Sequence, residues 1–396
     1  MRTDISKYLF HGIRKPNLKH YPTQDEVPQF PLIDDDEFVS EFDILKNIIE
    51  EGAIRSSLSY RNGIPTVYGN QPVVCFTEMP LFNIIQYEKE HKKNPKISTY
   101  GIAVLKEDLF NIGGRPVISG LSVEVSKQIS GQRILDESIL PLNEQYRYVY
   151  LNLNSNAKTI DWTHEREWRV KVNTELIITN SLYDVYYEIN GLNVFDLDSF
   201  KECVITVKTS VEAEEISEIV EHQLDRFRSY GSHDFSTKIK FLVLDEAIKT
   251  MQSDIECTSI ENLPQSAFYT YKYDGLSREE EMRVINVIEE CKNNAKIYAE
   301  EFIKDNTDIL IENVEFKDIC GYAYIQSYDM RNKYVRFLVK QEYMYANQDR
   351  GYTFDNLDLE IPFLQGLIYH EFIAKKQCEF LNKKIENLFS VYSIYD

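Results

Sequence analysis

The sequence predicts an α+β fold in two domains, and three observations lead to that prediction. Short apolar runs bounded by turn formers alternate with amphipathic stretches over residues 1–260, which is typical of strands interspersed with helices. Residues 270–396 begin and end with long amphipathic stretches. Both kinds of periodicity fade between Thr258 and Gly275. We therefore expect an α+β domain over 1–260 and a helix-rich domain over 270–396.

Strands are predicted wherever a short run of apolar or β-branched residues lies between turn formers. A polar, proline-bearing loop is expected from Lys15 to about Ser40, after the first strand. The predicted strands, in chain order, are Tyr8–Ile13, Pro72–Glu78, Thr99–Leu105, Arg115–Ile118, a run within Trp162–Val172, Cys203–Val207 and Ile239–Leu244.

Helices are predicted where apolar residues recur at three- and four-residue spacing. Gly52 ends the first at a C-cap position, and Ser277 with Glu280 has the capping-box spacing that begins a long one. The apolar stripes of the last two helices must pack on each other or on a neighbour, which leaves a homo-oligomer through these helices open. The predicted helices are Phe42–Glu51, Pro80–His91, Val211–Phe227, Ser277–Lys304 and Pro362–Tyr392.

The composition excludes several classes of protein. A net charge of −20 is spread over both halves, so no general nucleic-acid-binding surface is expected. Apolar runs stay far shorter than a membrane span, and the N-terminus lacks a signal-peptide core, so we expect a cytoplasmic protein without membrane contact. The six cysteines are scattered without a CxxC pair, which is typical of reduced thiols rather than of disulfides or a zinc site.

Several catalytic motifs are absent. The chain has no GxxxxGK[ST] loop, no GxGxxG after a strand and no GxSxG elbow, which disfavours P-loop NTPases, common dinucleotide folds and serine hydrolases. His370-Glu371 resembles the start of a zinc-protease helix, but position 374 is Ala, so the metal site is incomplete. No metal is expected.

The segment Asp161–Val170 is the strongest candidate for chemistry. If it is a strand, alternation puts Glu165, Glu167 and Arg169 on one face. Two carboxylates there could address one small ligand, and their repulsion would raise one pKa. The alternative is a solvated strand with cross-strand Glu–Arg pairs and a Trp packed beneath it.

Two further residues stand out among their neighbours. His11 lies on an apolar strand, where it is either a ligand-binding residue or an ordinary edge histidine. Arg115 follows Gly113-Gly114, so it either flanks an anionic ligand or simply follows a tight turn.

Five sequence blocks together resemble a prokaryotic abortive-infection family called AbiGi, which is linked to phage defence. They occur in family order over about 40% of the chain, and residues 270–396 lie outside the resemblance. The blocks are Tyr8–Arg14, Val73–Leu81, Tyr100–Ile102, Gly113–Val117 and Trp162–Arg169, with VCFTE-P, GGRPV and EREWR as their most specific parts.

A more distant resemblance is to ADP-ribosyltransferases of the DarT type, which act in defence and as toxins. It implies a split mixed or antiparallel sheet with flanking helices, and NAD as substrate without a metal. His11 and Thr77 match the residues of the first two core strands, although the second strand lacks the family's usual signature. Glu167 matches the catalytic carboxylate, with Glu165 two residues earlier.

The chemistry of such a site assigns further roles. Cleavage of the nicotinamide–ribose bond builds positive charge on the ribose carbon, which a carboxylate such as Glu167 would stabilise. His11 would hydrogen-bond the ribose or the nicotinamide amide, and Arg14 or Arg115 would lie near the pyrophosphate. Glu165 would orient or deprotonate the acceptor. The acceptor itself, protein, nucleic acid or water, stays open.

Three functions compete at this point. The first is an antiphage NAD-dependent ADP-ribosyltransferase or NAD-cleaving effector. The second is a non-catalytic, antitoxin-like or partner-binding defence component whose acidic surface covers a basic partner. The third is a nuclease holding Mg²⁺ on Asp161, Glu165 and Glu167, which the adjacent arginines disfavour.

Overall fold

A computed structural model describes most of the 396-residue chain in two compact units. One unit comprises Met1–Val220 and His233–Thr270, and the other comprises Glu221–Ser232 and Tyr271–Asp396. The predicted loop from Lys15 to Ser40 lies mostly outside the described residues. These are 5–15, 17–20, 22, 40–91, 98–121, 126–129, 131–154, 159–172, 175–180, 185–229, 235–253, 258–271, 274–311, 315–355, 357, 361–362 and 364–395.

The first unit mixes strands and helices. Its α-helices are α1 Glu41–Glu51, α2 Leu81–Glu90, α3 Lys106–Asn111, α4 Ser210–Ser229, whose residues from Glu221 belong to the other unit, and α5 Leu244–Ser253. Its 3-10 helices are Leu18–His20, Leu142–Arg147, Thr163–Glu165, Ile260–Asn262 and Gln265–Ala267. Its strands are β1 Tyr8–Gly12, β2 Ile54–Arg55, β3 Tyr60–Arg61, β4 Ile64–Pro65, β5 Val73–Thr77, β6 Gly101–Leu105, β7 Arg115–Pro116, β8 Ile118–Ser119, β9 Ser126–Ile129, β10 Gln132–Leu135, β11 Tyr148–Val149, β12 Glu167–Lys171, β13 Glu175–Asn180, β14 Val185–Leu192, β15 Glu202–Val207, β16 Lys238–Val243 and β17 Phe268–Tyr269.

An eight-stranded sheet forms the frame of this unit, in the order β17-β16-β15-β6-β1-β5-β12-β7. The β15–β16 pair is parallel and the other pairs are antiparallel. Tyr8 and Phe10 pack with apolar residues of α2 and α5 on one face of the sheet. Side chains alternate along a strand, so Leu9 and His11 lie on the opposite face. The mixed sheet with its helices confirms the predicted α+β class.

Local sequence explains the elements nearest the site. The Ser40 hydroxyl accepts from the amide of Asp43, whose carboxylate accepts from the Ser40 amide, and the resulting capping box begins α1. Gly52 ends that helix at φ 73°, a left-handed conformation that glycine adopts easily. Gly101 is a close approach: a Cβ there would lie 2.4 Å from the carbonyl oxygen of His11 and from the Phe10 ring.

The second unit packs helices on a smaller sheet. Ser277 and Glu280 form the predicted capping box at the start of its longest helix. A four-stranded sheet in the order β21-β22-β20-β23 packs against α8 around Ile325, Val335 and Leu381. Its elements are α6 Arg278–Asp305, α7 Lys333–Lys340, α8 Leu367–Lys384, β18 Leu310–Ile311, β19 Glu315–Phe316, β20 Gly321–Ser327, β21 Met344–Ala346, β22 Tyr352–Phe354 and β23 Ser390–Tyr395.

The predicted helical end of the chain is wrong beyond Lys384. Asn382, in the last turn of α8, holds the chain that follows the helix, because its Oδ1 accepts from the amides of Leu388 and Phe389, both at 2.9 Å. The following residues, Ser390–Tyr395, are rich in Tyr and β-branched side chains and pair with β20. The second unit therefore combines its helices with strands. Among the described residues, no helix combines the length and the apolar character needed to cross a membrane.

Candidate functional site

A pocket of about 380 Å³ lies at the end of the large sheet where β5 ends and β12 begins. Both strands, the chain after β7 and the 3-10 helix before β12 contribute to its wall. The residues that line it are Ile5, Glu78, Pro116, Val117, Ser119, Trp162, Thr163, Arg166, Glu167 and Trp168. Indole, carboxylate and guanidinium groups thus meet in one concave surface, which is the usual character of a ligand site.

Glu78 is held in position by two donors. The indole Nε1 of Trp168 lies 3.0 Å from Glu78 Oε2, and Lys106 Nζ lies 2.7 Å from Oε1. The Glu78 side chain remains 19% exposed and Lys106 28%. This arrangement fixes the plane of the Trp168 ring and leaves the carboxylate in contact with solvent.

Glu167 is paired with the buried Arg169. Nε and Nη2 of Arg169 donate to the two oxygens of Glu167, at 2.8 and 3.2 Å. Nη1 of Arg169 donates to the carbonyl oxygens of Tyr146 and Tyr148, at 2.7 and 3.3 Å. Burial works to lower the pKa of Arg169, but Glu167 raises it above its ordinary value. The guanidinium therefore stays charged, and this buried group holds the carboxylate of Glu167.

Cys75 lies beside this pair. It stands opposite Arg169 in the β5–β12 register, and burial followed by the charge of Glu167 raises the pKa of its thiol. The thiol is therefore protonated at neutral pH and serves as a small, partly buried group.

The predicted alternation of Glu165 and Glu167 on one strand is wrong. Residues Thr163–Glu165 form a 3-10 turn, which begins because Asp161 Oδ1 accepts from the amide and hydroxyl of Thr163, at 2.9 and 2.6 Å. Arg166 then adopts a left-handed φ of 45° before the strand starts. Its carbonyl oxygen accepts from the Glu78 amide at 3.1 Å, which secures this conformation at the pocket wall.

His11 follows Phe10, the β1 residue that pairs with Thr77. Its side chain therefore lies on the opposite face of the sheet from that of Thr77. Thr77 pairs with Phe10 and with Glu167, so these side chains share a face. His11 instead contacts the Phe76 ring edge-on at 5.7 Å between centroids. Its Nδ1 lies 2.8 Å from the carbonyl oxygen of Cys75, on the same chain segment as Thr77. Burial lowers the pKa of His11; the hydrogen bond to the Cys75 carbonyl opposes this shift, and the charge of Arg14 adds to it.

The remaining predicted binding residues are engaged in local structure. The Thr77 hydroxyl donates to the carbonyl oxygen of Glu165 and accepts from the Met79 amide, so it joins two chain segments. Arg115 lies over the Phe110 ring at 3.9 Å and donates to two carbonyl oxygens of its own turn. Arg14 is exposed.

Of the six predicted site residues, Glu167 alone is among the described residues that line the pocket. Glu78 and Trp162 line it and were not predicted as site residues. Their signal was available in the sequence: Glu78 ends the VCFTE block and Trp162 begins the block that contains EREWR. Alternation along a strand could not identify them, because both lie where regular strand structure stops.

Comparison of the chain with protein-family models, curated proteins and solved structures gave no match. The resemblances to the AbiGi family and to ADP-ribosyltransferases therefore stay predictions. Within the described residues, no group of three or more His, Cys, Asp or Glu side chains is arranged to hold a metal ion. What the fold and the pocket define is an acidic α+β protein with one aromatic, carboxylate-bearing recess at a sheet end.

Proposed function

We propose that this chain is a non-catalytic binding component of an antiphage defence system, with an antitoxin-like role in which it engages a basic partner. The defence role rests on the AbiGi-like blocks, two of which, VCFTE and EREWR, contribute to the pocket. The binding role rests on the net charge of −20, which favours association with a positively charged surface.

The observation that carries the binding role is the bidentate pair of Glu167 with Arg169. A carboxylate that must stabilise a developing ribosyl cation needs its charge directed at the substrate. Here both oxygens of Glu167 accept from a guanidinium whose side chain is only 7% exposed. The charge of Glu167 is thus largely neutralised by Arg169 within the fold.

The other two residues of the predicted transferase triad support the same conclusion. The His11 ring lies on the opposite sheet face from Glu167, and the Thr77 hydroxyl is engaged with main-chain groups on both sides. A transferase site would require these three residues to open onto one cleft.

A second candidate function is NAD cleavage or ADP-ribosyl transfer, and one observation favours it. Glu167 lines the same pocket as Glu78 and Arg166, so a carboxylate and a guanidinium could both reach one nucleotide. In that case NAD is the substrate, Glu167 stabilises the ribosyl cation and Arg166 neutralises the pyrophosphate. The acceptor is a protein, a nucleic acid or water.

The experiment that separates the two functions follows NAD and phage protection in parallel. A binding component should neither consume NAD nor rise in melting temperature up to millimolar NAD, and cells carrying it should still be protected. Glu167→Gln serves as the informative variant, and Glu107→Gln, at an exposed carboxylate outside the pocket lining, serves as its matched control. NAD turnover that disappears in Glu167→Gln with an unchanged melting temperature would overturn the binding role in favour of the transferase.

A further inference from the structure

The side chains that line the pocket favour one kind of chemical group as ligand. The inference drawn from them rests on the binding function proposed above. We infer that the pocket takes the guanidinium of an arginine side chain presented by a basic protein partner. Its volume of about 380 Å³ lies near the lower end of the range of roughly 300–1,000 Å³ for small-ligand sites. A single side chain therefore suits it better than a dinucleotide.

Two indoles provide flat, electron-rich walls. Trp162 and Trp168 both line the pocket, and the hydrogen bond from Trp168 Nε1 to Glu78 fixes one of the two rings. A cation over an indole face is attracted by the ring quadrupole, by about 0.5–2 kcal/mol depending on desolvation. The walls are therefore suited to a planar cation that can stack on them.

Glu78 provides hydrogen-bond acceptors beside these walls. A carboxylate has about four acceptor positions, and Glu78 uses one for Trp168 and one for Lys106. Acceptor capacity remains on a side chain that is 19% exposed and lines the pocket. A guanidinium can therefore donate to Glu78 while its plane lies against an indole.

The net charge of the chain favours a cation over an anion. The chain carries −20, and of the two carboxylates that line the pocket Glu78 keeps acceptor capacity whereas Glu167 is engaged by Arg169. Lys106 and Arg169 neutralise these two carboxylates in part from outside the lining. Arg166 also lines the pocket, but it is exposed, where salt and water screen its repulsion of another cation.

Arginine fits these groups better than lysine does. Its guanidinium is planar, presents five donors in a fixed fork and sheds water more readily than an ammonium group. It can stack on Trp168 or Trp162 and pair with Glu78 at the same time. A lysine ammonium can make one of these contacts well but lacks the plane for the other.

The two tryptophans of the chain make the test direct. Both of them line the pocket, so the intrinsic tryptophan fluorescence of the full-length protein reports on occupancy of this site. The probes are the N-acetyl amides of arginine, lysine and citrulline, with AMP as the anionic probe. Citrulline keeps the planar shape of arginine and removes its charge.

Arginine amide should change the fluorescence saturably at millimolar concentration, at least about fivefold more tightly than lysine amide, with citrulline amide and AMP weaker still. Glu78→Gln should weaken arginine binding about tenfold. Glu107→Gln, which removes an exposed carboxylate that does not line the pocket, is the matched control and should leave arginine binding within about twofold. Equal binding of citrulline and arginine, or arginine binding unchanged in Glu78→Gln, would overturn the inference, as would a response to AMP without one to arginine.

Failure of this inference is distinguishable from failure of the binding function. Trp162→Ala removes one of the two indoles that line the pocket and keeps both members of the Glu167–Arg169 pair. If arginine amide does not bind but Trp162→Ala abolishes phage protection in a protein of unchanged melting temperature, the pocket binds another group and the binding function stands. If wild-type protein consumes NAD, the binding function itself fails.

Discussion

Each unit of the protein contains a buried arginine–carboxylate pair, and the two pairs differ in what surrounds them. In the first unit Arg169 is the more buried partner, 7% exposed against 16% for Glu167, and the carboxylate lines a pocket. In the second unit the carboxylate of Asp225 is the more buried partner, 3% exposed against 17% for Arg336. The buried charge therefore has opposite sign in the two units.

The second pair is enclosed by hydrogen bonds from protein groups. Asp225 Oδ2 accepts from Arg336 Nη1 at 2.5 Å and from the Tyr352 hydroxyl at 2.8 Å. The same Arg336 atom lies 2.9 Å from the Tyr352 oxygen, and Arg228 approaches Asp225 at 3.4 Å. Burial and then the charge of Asp225 raise the pKa of Tyr352, so its hydroxyl stays a donor.

The comparison of the two pairs shows that a buried ion pair does not by itself indicate a functional site. Both pairs hold segments of chain together, and replacement of a whole buried pair by apolar residues is often neutral for stability. What distinguishes the first pair is its position at a concave surface beside two indoles. The pocket, rather than the buried charge, is therefore what supports the proposed binding site.

The largest expected effect is loss of one partner in the fully enclosed pair. Arg336→Met leaves Asp225 charged and buried, which should cost about 3–5 kcal/mol of unfolding free energy. Urea unfolding, combined with amide hydrogen exchange of residues 221–229, measures the loss in the second unit. The double variant Asp225→Asn with Arg336→Met should recover a substantial part of it. A single variant as stable as the double one would show that Asp225 is compensated by Tyr352 and Arg228 alone.

The sequence could predict the first pair but not the second, because the second pair joins residues that are far apart along the chain. Glu167 and Arg169 are two residues apart, so strand periodicity alone suggested a shared face. Asp225 and Arg336 are separated by 111 residues, and their meeting depends on how α7 packs against the end of α4 within the second unit. Helices and strands with strong periodicity were predicted well for the same reason: their pattern is local.

The site was predicted less well than the fold, because it depends on irregular chain. The left-handed conformation of Arg166 interrupts the strand that was predicted over Glu165 and Glu167. Neither apolar periodicity nor a glycine in the sequence predicts this conformation. Glu78 follows a strand end and Trp162 precedes a 3-10 turn. A pocket assembled from such positions requires knowledge of strand order, which brings β5, β12 and β7 side by side.

A smaller loss is expected when the pocket-lining pair is weakened. Glu167→Gln keeps the shape and one carbonyl acceptor for Arg169, which also retains the carbonyl oxygens of Tyr146 and Tyr148. The expected cost is about 1–3 kcal/mol, less than for Arg336→Met. Thermal and urea unfolding measure it, with Glu107→Gln, at an exposed carboxylate, as a control close to zero. An unchanged free energy of unfolding would mean that the charge of Glu167 is not needed to compensate Arg169. That result would favour a catalytic role for Glu167.

Each unit also contains a histidine whose pKa is lowered, the partly buried His11 in the first and the buried His222 in the second, which predicts a pH effect in both. Burial lowers the pKa of His11 and of His222 below the ordinary value of 6.5. The unfolded chain therefore binds protons at a pH where the folded protein does not, so stability is fully present above about pH 6.5 and falls as the pH drops below it. For His222 the carbonyl oxygen of Gly351 and the charge of Asp225 oppose the shift, whereas Arg226 adds to it.

Separate variants assign this pH dependence to the two units. His11→Asn and His222→Asn should each flatten the dependence of melting temperature on pH between about 6.5 and 5, compared with wild type. Because Asp225 opposes the shift at His222 and no carboxylate is among the groups that shift His11, we expect the larger flattening in the His11 variant. A steeper pH dependence in either variant would contradict the assignment of neutral imidazoles.

The smallest expected effect on stability concerns the Lys106–Glu78 ion pair at the pocket, which is more accessible to solvent than the two arginine–carboxylate pairs. Lys106 and Glu78 are 28% and 19% exposed, so water and salt screen their attraction. Lys106→Met should change the unfolding free energy by less than about 1 kcal/mol. It also removes a donor that competes for Glu78, so the affinity for arginine amide should rise, by no more than about fivefold. Tryptophan fluorescence titration and a melting curve measure the two quantities on the same sample. A stable Lys106→Met protein that binds arginine amide more weakly than wild type would mean that Lys106 positions Glu78 for the ligand instead of competing with it.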